Sequence, residues 1–283
     1  MWACSDFYNK TNSEEMTMAK KSELIQVGEL AVGFSENVLP DTDDLKGRRF
    51  KLYFEDGFVS SYRFLDEKTL AWEIEDSSGN LEKDEEDYRA TCPRENIYFV
   101  DYIRKNSRAT SVSLVLDFKK GIATSLSGTL PKEEDARMDR LGRVGSGLFE
   151  TAVEAIFKSA SIDKKFNDKT PRHQPTKDLI GKRVKYIYSQ KDTYEHIYLN
   201  DDHYTWHCLA GIEKGMADTD LCHYFKIDQD LYLFVWREKL VPTLGVVVID
   251  LKKMKTTGKI FGYESGDFGN LSNFPVGAFA QHV

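Results

Sequence analysis

Lys46-Gly47-Arg48-Arg49-Phe50 returns as Ile180-Gly181-Lys182-Arg183-Val184, 134 residues further on counted from Gly47 to Gly181. The same offset pairs Trp72 with Trp206, Tyr102 with Trp236 and Gly128 with Gly262. Asp117-Phe118-Lys119-Lys120 matches Asp250-Leu251-Lys252-Lys253 at 133, so one residue is inserted locally. A series of matches in order marks an internal duplication. Each copy holds about 90–100 residues, enough for a small barrel of six to eight strands.

The residues around that signature read as strands. In the first copy, Phe50–Phe54 leads into Glu55-Asp56-Gly57, a hairpin turn in which glycine takes the positive φ. Phe58–Phe64, Thr69–Ile74, Asn96–Arg104, Ser111–Phe118 and Ile122–Gly128 continue an antiparallel meander, with Asp76–Asp87 as an acidic loop. Between the copies, Phe149, Val153, Ile156 and Phe157 fall at helical spacing, which predicts a helix over Phe149–Lys158. Gly142–Gly147 reads as a hinge and Asp163–Asp178, with two prolines, as a linker. The expected organisation is a polar leader over 1–26, a first barrel over 27–131, a helix and linker over 132–176, and a second barrel over 177–283. The fold class is mainly β, two tandem antiparallel barrels with a connecting helix.

Composition narrows the partners. The chain has 283 residues, 41% hydrophobic and 30% charged, so it can bury a core. A net charge of −7 argues against nucleic acid or an anionic membrane surface. No apolar run reaches the roughly 18 residues of a membrane helix, and residues 1–6 show no basic and apolar leader of the secretory kind. Cys4, Cys92, Cys208 and Cys222 lack CxxC spacing and read as reduced thiols of a cytoplasmic protein. The composition leaves room for a homo-oligomer.

The two copies differ in chemistry. Alternation along the strands places Tyr186 with Tyr188; Tyr194 with His196 and Tyr198; Trp206 with Cys208; and Tyr232 and Phe234 with Trp236 and Glu238. If these faces point inward, the second barrel encloses a slot of aromatic rings with Glu238 at its edge. Such a slot suits a flat, aromatic or unsaturated small molecule. A carboxyl among rings is desolvated, its pKa rises, and it can donate a proton near neutrality. The other reading is a barrel core of tyrosines with Glu238 in a surface ion pair. Asp218-Thr219-Asp220, near Cys222, His223 and His207, matches no metal-ligand spacing and reads as a turn or hydrogen-bonding element, so no metal or other cofactor is expected. In the first copy, Leu52 and Phe54 replace the tyrosine pair, Tyr62 replaces His196 and Arg104 replaces Glu238. It reads as an apolar structural partner, with an anion pocket of Arg104, Tyr62 and Trp72 as the alternative.

Several longer segments carry a resemblance. Val27–Phe34, Tyr194–Asn200, Tyr204–Gly211, Glu213–Asp220, and Val235-Trp236-Arg237-Glu238-Lys239 through Pro242–Gly245 resemble the MoaF family, over nearly the whole chain from Val27. The family's name associates it with molybdenum cofactor biosynthesis, which implies an accessory part in that metabolism as one alternative. The second copy also resembles, more distantly, the phenolic acid decarboxylases, cofactor-independent enzymes with a lipocalin-like (calycin) barrel. Gly181, Tyr186, Tyr188, Tyr194-Glu195 and Trp236-Arg237-Glu238 fall where that family has its glycine, tyrosine pair, Tyr-Glu and Trp-x-Glu. The resemblance implies working roles for the tyrosine pair and the glutamate. The family's catalytic arginine falls near Met216, which cannot bind an anion, so a proton-shuttling pocket is implied rather than hydroxycinnamate decarboxylation.

Two functions follow as expectations. One is a cofactor-independent isomerase, cyclase or lyase with Glu238, Tyr186, Tyr188 and His196 as catalytic groups, and Tyr194, Tyr198, Trp206, Cys208, Met216, Asp218 and Trp236 around the substrate. The other is a non-catalytic small-molecule-binding or accessory protein that uses the same slot.

Overall fold

Residues 25–76, 78–266 and 268–283 are described by a computed structural model. The expected leader lies outside them apart from Ile25 and Gln26, as does Cys4. The first repeat forms β1 (Arg49–Phe54), β2 (Val59–Phe64), β3 (Thr69–Glu75), β4 (Leu81–Arg94), β5 (Ile97–Ile103), β6 (Thr110–Asp117), β7 (Ile122–Thr129) and β8 (Glu154–Ile162). Each strand pairs antiparallel with the next, and β8 pairs back to β1 to close the barrel.

The second repeat supplies β9 (Gln174–Pro175), β10 (Arg183–Ile187), β11 (Thr193–Tyr198), β12 (His203–Ala210), β13 (Ala217–Asp228), β14 (Leu231–Glu238), β15 (Thr243–Asp250), β16 (Lys255–Tyr263), β17 (Leu271–Val276) and β18 (Phe279–His282). Strands β10 to β16 pair in order, with β12 joined to β13. The last place in the ring is shared: β17 pairs with β16, and β18 pairs with β10. Strand β9 is a short addition on β13. Two tandem eight-stranded antiparallel barrels result, as the duplication requires.

The repeated glycine has a backbone cause. Gly47 and Gly181 sit at φ of +74° and +82°, a conformation that favours glycine. Each donates its N–H across the entrance of its barrel at 2.8 Å, Gly47 to the carbonyl of Phe64 and Gly181 to that of Tyr198. The signature read from sequence is thus one repeated strand-entry turn.

The barrels pack outer face against outer face. Ile97, Phe99, Val115, Leu126 and Val153 of the first form one apolar cluster with Leu233, Val235, Leu244, Val246 and Phe261 of the second. Strands β6, β14 and β15 are therefore buried on both faces almost throughout, and β14 and β15 read as near-continuous apolar runs rather than alternating ones.

One correction concerns the stretch between the repeats. The expected helix over Phe149–Lys158 is strand from Glu154 on, part of β8, so the first barrel extends beyond residue 131 to Ile162. Phe157 points outward onto His223 and Phe225 of the second barrel, with ring centroids 4.9 Å away in each case. Apolar residues on both strand faces mimic helical spacing. The helices between the barrels are short: α2 (Glu133–Ala136) and α3 (Arg140–Gly145), the latter where a hinge was expected. A longer helix, α1 (Val27–Phe34), precedes β1 in the chain yet buries Val27 and Phe34 in the core of the second barrel.

A second correction concerns Asp76–Asp87. Its latter part is the start of β4, and Glu86 is fully buried inside the first barrel. That interior is therefore not purely apolar. No helix among the described residues is long and apolar enough to cross a membrane.

The shared cluster gives a direct test. Leu244 is fully buried in it. We expect Leu244→Ala to lower stability by about 2–5 kcal/mol, read as a lower urea midpoint with both barrels unfolding in one transition. A loss below about 1 kcal/mol would contradict a shared core.

Candidate functional site

Alternation along β10, β11, β12 and β14 sends Tyr186, Tyr194, Tyr198, Cys208, Phe234 and Trp236 into the second barrel, as expected. They meet as a packed core rather than an open slot. The Phe234 ring stacks between Tyr224 and Trp236 at centroid distances of 5.5 Å. The hydroxyls of Tyr186 and Tyr198 lie 2.6 Å apart. An eight-stranded barrel is just wide enough for side chains to fill, and rings of this size fill it.

His196 belongs to that core. Its ring meets the edges of Tyr186 at 4.7 Å and Tyr204 at 5.1 Å, and its Nδ1 has no hydrogen-bond partner. Burial lowers its pKa to about 3, so the ring is neutral at physiological pH. Burial likewise raises the hydroxyl pKa values of Tyr186 and Tyr188 above the usual range.

One end of the barrel is different. The turns joining β10 to β11, β12 to β13 and β14 to β15 cluster there, and α1 lies across them. Phe34 stacks on Tyr188 at 4.3 Å and meets the edge of Tyr194 at 5.2 Å. Two glycines let the helix sit this low. A side chain on Gly33 would strike the Asp192 carboxylate, and one on Gly262 would come within 2.6 Å of Val27. The helix is fitted to the barrel mouth.

Beneath α1 lies a cavity of about 40 Å³, between Val27 and Leu30 above and Trp206, Glu213, Asp220 and Glu238 below. Met216 and Asp218 complete its rim. Glu238 is partly buried, and its Oε1 accepts from the Trp236 indole N–H at 2.9 Å. Desolvation, reinforced by the nearby Asp220 carboxylate, raises its pKa to about 8. The ion pair with Arg237 or Lys239 that would have made it a surface residue does not form. Arg237 points the other way, toward the Val153 carbonyl of the first barrel at 3.3 Å. Lys239 instead bridges Asp218 at 2.8 Å and Asp220 at 3.1 Å.

Two members of this mouth were not assigned to the pocket from the sequence. Asp220 is buried and accepts from the Trp206 indole at 3.1 Å. Its counterpart at the repeat offset is the buried Glu86, beside Trp72, so pairing the carboxylates as well as the tryptophans would have found both. Glu213 accepts from the Tyr194 hydroxyl at 2.7 Å, and its pKa is raised by burial. It lies in a turn, where face assignment by alternation has no meaning.

Other candidates separate from this site. Asp218 and Asp220 lie on β13, where Asp220 has the hydrogen-bonding role expected of the pair, and no group of three or more His, Cys, Asp or Glu among the described residues is arranged for a metal ion. Cys92, Cys208 and Cys222 are free. A buried array of Thr124, His173 and Asp117, with 2.8 Å from Thr124 Oγ1 to His173 Nδ1, fastens the linker to the first barrel.

Residues 22–132 match the MoaF N-terminal domain, and residues 173–283 match the MoaF C-terminal domain. The chain belongs to the MoaF family. It is 42% identical over 268 residues to Protein MoaF of Klebsiella aerogenes, covering 93% of this chain and 97% of that protein. These descriptions name the MoaF family and no molybdenum chemistry. A candidate beta-lactamase from Burkholderia vietnamiensis shares 15% identity, with a TM-score of 0.32 over 39% of this chain and all of that one, a likeness too slight to bear on fold or activity. The mouth of the second barrel, with Trp206, Glu213, Met216, Asp218 and Asp220, lies within the MoaF C-terminal domain. The helix that covers it lies within the N-terminal match.

The Glu238 carboxyl makes a stability prediction with a definite sign. Its folded pKa of about 8 stands above the ordinary 4.5, so folding takes up a proton between those values. The contribution of this group to stability is lost as pH rises through that window. Glu238→Gln keeps the indole acceptor and does not titrate. We expect its thermal midpoint relative to the native protein to rise steadily between about pH 5 and pH 9. A difference independent of pH would contradict a raised carboxyl.

Proposed function

We propose that the mouth of the second barrel is the acid–base site of a cofactor-independent enzyme of isomerase, cyclase or lyase type. The observation that carries this reading is the Glu238 carboxyl at the edge of an enclosed cavity, accepting from the Trp236 indole and close to the buried Asp220 carboxylate, a setting that raises its pKa. Glu238 donates its proton to a carbon or oxygen of the substrate, and the resulting carboxylate takes a different substrate proton, which regenerates the acid. Positioned proton transfer of this kind commonly contributes about 10²–10⁴-fold.

The lining also bears on substrate class. Glu213, Asp218, Asp220 and Glu238 surround the cavity, and the nearest cation, Lys239, is engaged by two of them. A substrate carboxylate would meet like charge and no arginine. The site therefore favours a neutral or cationic small molecule, with an aromatic or unsaturated body to match Trp206 and the rings below.

Access requires α1 to move. Small organic ligands need pockets of about 300–1,000 Å³, and the cavity of about 40 Å³ falls well short. Lifting α1 withdraws Phe34 and uncovers Tyr188 and Tyr194, the two rings it packs on, which can then orient a substrate. Tyr186 and His196 lie deeper and act as supporting core in this scheme. A cytoplasmic location belongs to the same proposal and draws on the free thiols.

The test is turnover and binding over a panel of neutral phenolic and polyene compounds. We expect Glu238→Gln to bind as the native protein does and to lose about 10²–10⁴-fold in kcat. Native activity should fall above about pH 8 as the acid ionises. Binding without turnover by the native protein would instead support a carrier, and unchanged turnover in Glu238→Gln would remove the proposed acid.

A further inference from the structure

A groove of about 750 Å³ lies where the connection between the barrels enters β8 and passes β14. Leu148, Phe149 and Ile156 are exposed along it, Phe149 at 68%. Leu141 and Val144 on the preceding α3 are exposed as well. Single apolar side chains on a surface are ordinary, but several that line one groove mark a place for a partner. The groove shares no residue with the cavity under α1.

Two guanidinium groups line the same groove, and neither forms an ion pair with a carboxylate among the described residues. Arg143 donates to three carbonyls, those of Phe149 at 2.9 Å, Thr151 at 3.2 Å and Asp135 at 3.4 Å. Arg237 is only 7% exposed, and one Nη donates to the Val153 carbonyl at 3.3 Å. Its Nε is buried with no hydrogen-bond partner, and the Phe149 ring lies 5.3 Å from its Cζ. A guanidinium has five N–H donors, and a buried one ordinarily has an anion beside it. The lining carries one carboxylate, Glu154, against these two cations. The balance is the reverse of the carboxylate-rich barrel mouth.

The chain itself supplies a segment of matching chemistry. Ile25, the first described residue, lines the cavity beside Glu238, whose carbonyl accepts from Thr151 of the groove at 2.9 Å. The 24 residues before Ile25 therefore start close to the groove. Met1–Tyr8 holds all three aromatic residues of that stretch, Trp2, Phe7 and Tyr8, with Asp6 as its one charged side chain. Residues 9–24 span up to about 50 Å when extended, ample to bring Met1–Tyr8 back to the groove. We propose that residues 1–8 dock in this groove of the same chain, with their rings against Leu148, Phe149 and Ile156 and the Asp6 carboxylate at Arg237 and Arg143. Because the segment runs into α1, docking also fastens the helix that covers the barrel mouth.

Cys4 offers a labelling site within the segment. A nitroxide is attached to it in the full chain carrying Cys92→Ser, which leaves the buried Cys208 and Cys222 as the other thiols. Methyl signals of leucine and isoleucine are then followed by NMR. We expect Leu148 and Ile156 to broaden, while Leu65 and Leu81, exposed elsewhere on the first barrel, stay sharp. Phe149→Glu, at an exposed position, places a competing carboxylate by the same guanidinium groups, and Asp6→Lys reverses the charge that meets them. Each should lower the ratio of docked to free segment at least about tenfold, since a hydrogen bond to a charged group is worth that much or more. The proposal is overturned if Leu148 and Ile156 stay sharp, if Leu65 and Leu81 broaden equally, or if Phe149→Glu leaves the broadening unchanged. Equal broadening at Leu148 and Ile156 of unlabelled chains mixed with nitroxide-labelled ones would put the segment on a second copy, and would also overturn it.

Discussion

Strand β14 is held by the first barrel from outside, and its inner face carries the candidate site. Leu233 and Val235 are buried in the apolar cluster between the barrels. Arg237 donates to the Val153 carbonyl, and Thr151 Oγ1 donates to the carbonyl of Glu238 itself at 2.9 Å. On alternate positions of the same strand, Phe234, Trp236 and Glu238 face inward. A strand buried on both faces has little freedom to shift, because a one-residue slip would exchange its two faces. The position of the Glu238 carboxyl is thus a consequence of how the barrels pack.

The second determinant of the site is α1. It lies between the N-terminus and the first barrel in sequence, yet completes the second barrel in space. Gly33 on the helix and Gly262 on the barrel omit the side chains that would hold them apart. With the helix in place, Glu238 is desolvated among carboxylates, and its acidity follows from that enclosure. Both barrels therefore contribute to one chemical environment: one fixes the strand, and the segment leading into it covers the mouth.

Much of the fold was legible. The glycine pair 47 and 181 marks the same strand-entry turn twice, and alternation correctly assigned the inward faces of β10, β11, β12 and β14. What failed did so for identifiable reasons. In Phe149–Lys158 the neighbouring apolar residues Ile156 and Phe157 stand on opposite faces of β8, and with Phe149 and Val153 before them their spacing imitated a helix. Asp76–Asp87 read as a loop from its charge, although Glu86 points into a barrel and pairs with a tryptophan by position. The slot inferred in the second barrel was the right set of residues in the wrong state of packing. Sequence pattern reports which way a ring points, but whether rings leave space between them depends on barrel width and on a helix far away in the chain. Alternation also placed Glu238 on the face of β14 that carries Trp236, and the two side chains meet there.

That acidity is the centre of the account. Carbon-13 labelling of glutamate side chains, with the Glu238 resonance assigned by its loss in Glu238→Gln, allows the carboxyl to be titrated directly by NMR. The account predicts a midpoint near 8 for this one carboxyl. A midpoint near the ordinary 4.5 would mean a solvated, ionised group, and would contradict both the enclosed mouth and the acid role assigned to it.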